Sequence, residues 1–456
     1  MGFENMLQEK KDWSASWIWH PEAKGPNNWV LFEKQFDLEA EIKNASAYIS
    51  TETKYLLVIN GKTIVREGGL NRGPLPDAGY YDEVDITEHL IRGLNTIRVL
   101  VWYWGNQGRN NVDSGHGGLL FQAEIDKTVI KSDGTWDCMI HPSFEETSDP
   151  MPSYLYGGHN IGYDSRCSES LFECNGERVS ATELGDYPVL PWGKLYRRPI
   201  PLFRTYDESN YNSISYEETN GAVTAEAVLP YACQMSPCFE IMSSSGGVID
   251  IRSDRYEVNG GNGDEKNTYR GHRIEYITKA GYQEFKAPTW LFGEKVMYKF
   301  TSGTEVLSLK FIESGYDCDF EGAFSTNESW TAGLFKKSRR TLYACMRDNY
   351  MDCPDRERGQ WIGDVSSQVP QVFYMLGRSA DKLTQKSITD FINWRDGDIL
   401  RGNIPGAHCG ELPSQSLNAI GMHGMIVSYY MHTGDRSILG PVYEPMQNYL
   451  QLWKIK

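Results

Sequence analysis

The sequence predicts a β-rich amino-terminal part, an antiparallel sandwich followed by a second β-domain, and then a helical carboxy-terminal part. Three observations carry this. Short apolar runs alternate with polar residues between turn residues from Trp13 to about Gly322. An Asn60-Gly61 pair stands between two strand-like runs. After the stretch FEGAFSTNESW the apolar period lengthens from two to that of a helix.

In the first region, from Trp13 to about Pro201, KYLLVINGKTIVREG reads as a hairpin. Asn and Gly tolerate the left-handed backbone that a two-residue turn between twisted strands requires. YYDEVDITEHLIRGLNTIRVLVWYWG follows as a strand, a one-turn connector and a long strand, with Gly93 and Asn95 setting the turn. From about Leu202 to Gly322, GGVIDIRSD, HRIEYIT and TEVLSLKFIES alternate in the same way, separated by clusters such as EVNGGNGDEKN. The linker between the two regions is expected in DYPVLPWGKLYRRPIP, where four prolines oppose regular structure. Domains are thus expected at residues 1–201, 202–322 and 323–456.

The helical part opens on Ser325-Thr-Asn-Glu328, which has the spacing of a capping box. Trp330, Leu334, Ser338, Leu342 and Cys345 then share one face. A second helix is expected from about Val365 to Met375, with its stop at Gly377. A third runs from about Ala380 to Trp394 with Leu383, Ile388 and Phe391 inward. A fourth starts near Pro413, which suits a first turn, and runs to Gly434. Asp435 caps a fifth, carrying Leu439, Val442, Met446, Leu450 and Trp453. Because this last stripe continues to the final turn without a closing element, the chain is expected to be a fragment of a longer protein.

Composition narrows the function. With 456 residues, 40% of them hydrophobic, the chain can bury several cores. The formal net charge of −16 argues against nucleic acid or an anionic membrane as partner, since both need a basic surface. Thirteen Trp and 27 Tyr supply flat platforms of the kind that sugar rings use, without proving such use. Nine cysteines, an odd number with no C-x-x-C pair, disfavour a disulfide framework or a zinc site, although Cys167 with Cys174 or Cys233 with Cys238 could pair in an oxidising compartment. No cofactor motif is present. The amino terminus lacks an apolar leader segment, which fits a cytoplasmic protein or one whose leader was removed.

The stretch DCPDRERGQWIGD, residues 352–364, joins the first helix to the second and concentrates charge in a loop that Pro354 and Gly359 keep from being helical. A glycosidase needs a carboxylic acid to protonate the leaving oxygen, a carboxylate to activate water, further carboxylates for sugar hydroxyls and an aromatic for a ring face. Glu357 between Arg356 and Arg358, with Asp352 and Asp364 at the ends and Trp361 beside them, has those parts. A salt-bridge cluster that pins the loop has the same composition.

DCPDRERGQWIGD closely resembles the signature of the bacterial α-L-rhamnosidases, glycoside hydrolase family 78. TLYACMRDNYM, YDCDFEGAF, YLLVINGK, YYDEVDIT and GLNTIRVLVWYWG are similar to that family as well. The resemblance implies two antiparallel β-sandwich domains, the first carbohydrate-binding-like, followed by the N-terminal part of a catalytic (α/α)6 barrel. It also implies an exo-acting, inverting enzyme that releases terminal α-L-rhamnose from oligosaccharides, polysaccharides or glycosides. On this likeness Glu357 is the general acid, Asp352 and Asp364 bind rhamnose hydroxyls, Arg356 is a supporting cation and Trp361 lies against the sugar. To keep an acid protonated at neutral pH, Asp352 and Asp364 would raise its pKa, and both arginines must point away from Glu357 or pair with Asp352, Asp355 or Asp364. The family's general base, a downstream glutamate, is expected beyond Lys456.

Two further candidates depart from the family pattern. In NIPGAHCGELPSQSLNAIG, His408 and Glu411 stand where many members have a tryptophan-containing segment. Glu411 is a candidate substrate ligand or base, set against the plainer reading that it helps to start the next helix. Trp102, Trp104 and Tyr163 in Gly-rich loops are candidate sugar platforms, with core packing the favoured alternative. His423 and His432 read as packing or surface residues. Two other functions use the same features: a hydrolase or lyase for another sugar on this barrel, separable by product analysis across aryl glycosides, or a non-catalytic saccharide binder, shown by binding without turnover.

Overall fold

The computed structural model describes residues 12–71, 73–148, 156–219, 221–259, 268–406 and 410–454. Two sheets come first. In space, one runs Thr182–Asp186, Ser16–Trp19, Leu119–Ile125, Ala45–Thr51, Ala78–Asp85, Lys194–Arg197; the other runs Val179–Ser180, Asp137–Ile140, Asn28–Leu38, Gly93–Tyr103, Lys54–Ile59, Lys62–Gly68. They share one core, in which Ile18, Ile49 and Phe121 of the first meet Val30, Phe32, Leu57 and Val99 of the second. The expected hairpin is present: Ile59 pairs with Lys62 across Asn60 and Gly61, which take φ of 51° and 79°. A Cβ is tolerated poorly at both torsions, and Asn-Gly is the pair that bears them best.

A third sheet forms around the 22-residue strand Ala222–Ser243. Up to Met235 it pairs with Leu291–Phe300, with a bulge after Val228, and from Met235 onward with Thr304–Gly315 and, from Cys238, with Gly281–Lys286. Phe144–Glu145 and Ile161–Asp164 also belong here, the latter parallel to Arg273–Ile277. The division expected at residues 201 and 202 is therefore crossed in space. Nor do the prolines of the expected linker abolish regular structure, because Lys194–Arg197 pairs in parallel with Ala78–Tyr81. Trp102, Trp104 and Tyr163 are buried in the core that joins this sheet to the preceding one, so they pack and offer no open ring face.

Six α-helices follow among the described residues: α1 (Ser329–Ala344), α2 (Ile362–Met375), α3 (Asp381–Asn393), α4 (Pro413–Ile420), α5 (Met425–Thr433) and α6 (Leu439–Lys454). Leu383, Ile388 and Phe391 point inward as expected, each fully buried with Val365, Val369 and Ile426 in one core. Four expectations are corrected. Helix α1 starts at Ser329 and Glu328 makes no side-chain cap; Thr326 caps locally instead, its Oγ1 accepting the Glu328 N–H at 3.1 Å. Trp330 and Leu334 are exposed, since the inner face of α1 begins only at Leu342. On α6 Leu450 is exposed and Tyr449 is buried in its place. The single helix expected from Pro413 to Gly434 is two, broken between Ile420 and Met425.

The break has a steric cause. A Cβ on Gly424 would lie 2.0 Å from the Ala419 carbonyl oxygen, so only glycine permits the chain to turn this closely. Gly424→Ala is expected to lower stability by about 1–3 kcal/mol, read as a lower denaturant midpoint. An unchanged midpoint would show that the turn is not constrained. No helix among the described residues is long and apolar enough to cross a membrane, and the eight described cysteines are free, with Cys409 outside the described residues.

Candidate active site

The loop between α1 and α2 is clamped at both ends before it reaches the charged motif. After α1 the chain turns back, and Met351 N–H donates to the Cys345 carbonyl at 2.7 Å. Tyr350 is fully buried and shares a hydrogen bond with Thr384 of α3 at 2.8 Å. Arg347 reaches the other way, into the β-rich part, where its guanidinium meets Glu67 at 2.6 Å and stacks on Trp290 at 4.7 Å. Lys54 adds a second cation 3.4 Å from Glu67. These charges hold the Glu67 carboxyl down at about 2 although burial pushes it up.

The motif itself closes on its own ends. Asp352 N–H donates to the Gly359 carbonyl and Gly359 N–H to Asp352 Oδ1, both at 2.9 Å. Arg358 takes φ of 52°, which turns its side chain out of the loop and under the third sheet. There it is 3% exposed, sits 3.3 Å from the Trp290 ring, and donates from Nε to the Pro354 carbonyl at 2.9 Å. Burial lowers its pKa to about 10. One expectation is thus met, because this arginine faces away from Glu357.

Arg356 does not. Its Nη2 lies 3.1 Å from Glu357 Oε1, while Trp361 Nε1 donates to Glu357 Oε2 at 2.8 Å. Glu357 N–H in turn donates to Cys353 Sγ at 3.4 Å. The i to i+4 spacing that places Trp361 against Glu357 could be read in the motif, but not the side on which Arg356 falls. The electrostatic expectation is also redistributed, since the raised groups are the flanking acids. Asp352 is pushed up to about 6, first by burial and then by the charge of Glu357. Asp364, in the first turn of α2, is raised by the same two causes.

Asp364 opens onto a surface hollow lined by Gly363, Ser367, Ser414, Gln415 and Asn418, where α2 and α4 begin. Gly363 makes this approach possible, because a Cβ there would meet Gln415 Oε1 at 2.4 Å. Asp352, Arg356, Glu357, Trp361 and Asp364 therefore come together. Glu411 is committed elsewhere, accepting the Tyr449 hydroxyl of α6 at 2.7 Å. His408 lies outside the described residues. His432 packs, stacked 4.6 Å from Phe373. Among the described residues no group of His, Cys, Asp and Glu side chains could hold a metal ion.

Sequence reasoning missed two neighbours. Asn403 is fully buried, bridges the backbone of Trp361, and donates from Nδ2 to the Arg109 carbonyl at 2.8 Å. Arg109 brings its guanidinium 5.4 Å from the Trp361 ring. The Gly-rich loop of Arg109 stood out in the sequence for its aromatics, and its one arginine was the signal passed over.

The charged loop thus sits in a helical region that follows a β-rich one. Residues 319–456 match the sequence model of the bacterial alpha-L-rhamnosidase six-hairpin glycosidase domain, so this part of the chain is rhamnosidase-like. No curated protein matches the chain. Solved structures share its fold. A family 78 rhamnosidase of Bacillus sp. GL1 aligns with TM-score 0.82 at 15% identity, over 97% of this chain and 69% of that one. The α-L-rhamnosidase of Dictyoglomus thermophilum aligns with TM-score 0.76 at 20% identity, over 98% and 52%. That of Streptomyces avermitilis, complexed with L-rhamnose, aligns with TM-score 0.73 at 17% identity, over 94% and 42%. The chain thus spans about two thirds of the first, about half of the second and about two fifths of the third.

Proposed function

We propose that the protein is an exo-acting glycoside hydrolase that releases terminal α-L-rhamnose with inversion, Glu357 protonating the glycosidic oxygen. The observation that carries this reading is the position of Glu357: its carboxyl is held by Trp361 Nε1 and Arg356 Nη2 in one loop with Asp352 and Asp364, inside the segment that matches the rhamnosidase domain. Trp361 Nε1 and Arg356 Nη2 are in place to take up the carboxylate that proton transfer leaves behind. Asp352, Asp364 and the amides of the adjoining hollow supply acceptors and donors for sugar hydroxyls. Single displacement also needs a carboxylate about 6.5–9.5 Å from the acid to activate water. Glu411, held by Tyr449, is not assigned that role.

We infer the finer architecture in the same terms. The two sheets with a shared core are a β-sandwich, the sheet around Ala222–Ser243 forms a second, and α1 to α6 belong to an (α/α)6 barrel. The shared core and the change of pairing partner along the long strand support it. Rhamnose release from an aryl α-L-rhamnoside tests the activity, and the anomer formed first, followed by proton NMR, tests inversion. No release by the folded protein, or a product of unchanged anomeric configuration, would overturn the respective claim.

Asp352→Asn separates substrate binding from loop structure. The amide oxygen keeps the acceptor for Gly359 N–H, so folding is retained, and removing a carboxyl that burial disfavours leaves the melting temperature equal or higher. A lost charge-assisted bond to substrate raises KM by roughly 10–100-fold. Unchanged KM with a lower melting temperature would make Asp352 a structural residue only.

A further inference from the structure

Arg109 is a cation at the edge of a site that holds three carboxyls. It comes from the β-rich part of the chain, on the loop between strands Gly93–Tyr103 and Leu119–Ile125. Its backbone carbonyl is anchored by Asn403 at 2.8 Å, and its guanidinium lies 5.4 Å from the Trp361 ring. Among the described residues that guanidinium makes no hydrogen bond and no ion pair. Its Nε is buried without an acceptor.

Two of the three acids are satisfied otherwise. Glu357 takes Arg356 and Trp361, and Asp352 takes Gly359 and Cys353. The other arginines are committed as well: Arg358 is buried on Trp290, and Arg401 faces Asp396 at 4.0 Å. A guanidinium held in place and partly dehydrated, for which the described residues supply no anion, is organised for one brought by a ligand. A planar carboxylate suits its paired terminal N–H groups. The hollow of Asp364 offers hydroxyl and amide groups but no cation, so the sugar that fills it is neutral and the anion belongs to what that sugar is attached to.

We infer that Arg109 is a specificity-determining residue that binds a carboxylate on the leaving-group side, so that the preferred substrate is α-L-rhamnose linked to a uronic acid. This rests on the proposed rhamnosidase reading for the identity of the released sugar, but not for the carboxylate site. It makes the β-rich part a wall of the active site through the loop of Arg109.

The test compares a rhamnosyl-glucuronic acid disaccharide with its methyl ester, which differs only in charge, using the full chain and its Arg109→Gln and Arg109→Lys variants. Asn403 bonds the backbone of residue 109, so both variants keep the loop anchor. The expected result is a kcat/KM roughly 10–100-fold lower for the acid in Arg109→Gln, with the ester changed less than about threefold and the lysine variant between. Equal rates on acid and ester, or an equal loss on both, would overturn the inference and leave the rhamnosidase reading standing. If no rhamnoside is cleaved, that reading fails, and calorimetric titration of Glu357→Gln and Glu357→Gln/Arg109→Gln with the acid disaccharide decides the inference separately. Binding that needs Arg109 and weakens with salt supports it, and binding that is absent or independent of Arg109 overturns it.

Discussion

Glu357→Gln is expected to lower kcat by roughly 10²–10⁴-fold on a rhamnoside whose leaving group is an unactivated alcohol, the usual worth of a general acid. The amide is isosteric and keeps an oxygen for Trp361 Nε1, so the loop retains its shape and KM changes little. Proton transfer is what it lacks. On an aryl rhamnoside with an acidic phenol the loss is smaller, because that leaving group departs without protonation. The ratio between the two substrates is therefore the diagnostic quantity, and it separates lost acid catalysis from lost folding. A variant equally slow on both, with an unchanged melting curve, would place Glu357 in binding or positioning instead. A variant with unchanged kcat on both would remove it from the mechanism.

The largest effect on stability is expected from Arg347→Ala. Its guanidinium, 4% exposed, neutralises Glu67 and also donates to Gln234 and Ser314. Removing one partner of a buried pair leaves the other charge uncompensated, at a cost of about 3–5 kcal/mol. Here only Lys54, at 3.4 Å, remains for Glu67. Because the Glu67 carboxyl is held at about 2 against an ordinary value of 4.5, the favourable contribution of the ion pair is complete above about 4.5 and is lost as pH falls toward 2. The difference between wild type and variant in denaturant midpoint should accordingly be largest near neutral pH and shrink below about pH 4.5. Glu67→Gln/Arg347→Met, which removes both charges, should recover part of the loss. A gap that does not vary with pH would assign the cost to lost packing on Trp290 and Phe203 rather than to the ion pair.

Local signals were legible wherever one residue type dictates the backbone. Asn60-Gly61 announced its hairpin, the alternation in GLNTIRVLVWYWG its strand, and Leu383, Ile388 and Phe391 the inner face of α3. The motif residues were legible too, and they are assembled as a group. Signals failed where a neighbour distant in sequence decides. Trp330 and Leu334 keep helical spacing, yet spacing cannot tell which turns of α1 overhang the core. Prolines 188 to 201 looked like a linker because a pairing of Lys194–Arg197 with a strand more than a hundred residues earlier leaves no local mark. The stretch from Pro413 to Gly434 read as one helix, whereas the crowding of Gly424 against Ala419 breaks it.

From its sequence alone this protein is a β-rich chain with a helical glycosidase-type region and a carboxylate loop at Asp352 to Asp364, because turn chemistry, periodicity and a short motif are properties of adjacent residues. Only the tertiary structure decided how the charges of that loop are shared. A positive φ at residue 358 sends one arginine into the β-rich part and leaves its neighbour on Glu357. Packing between the two parts brings in Arg109, some 250 residues away in sequence, to stand over Trp361. Electrostatics depends on distance and burial, and neither is written in the order of residues along a chain.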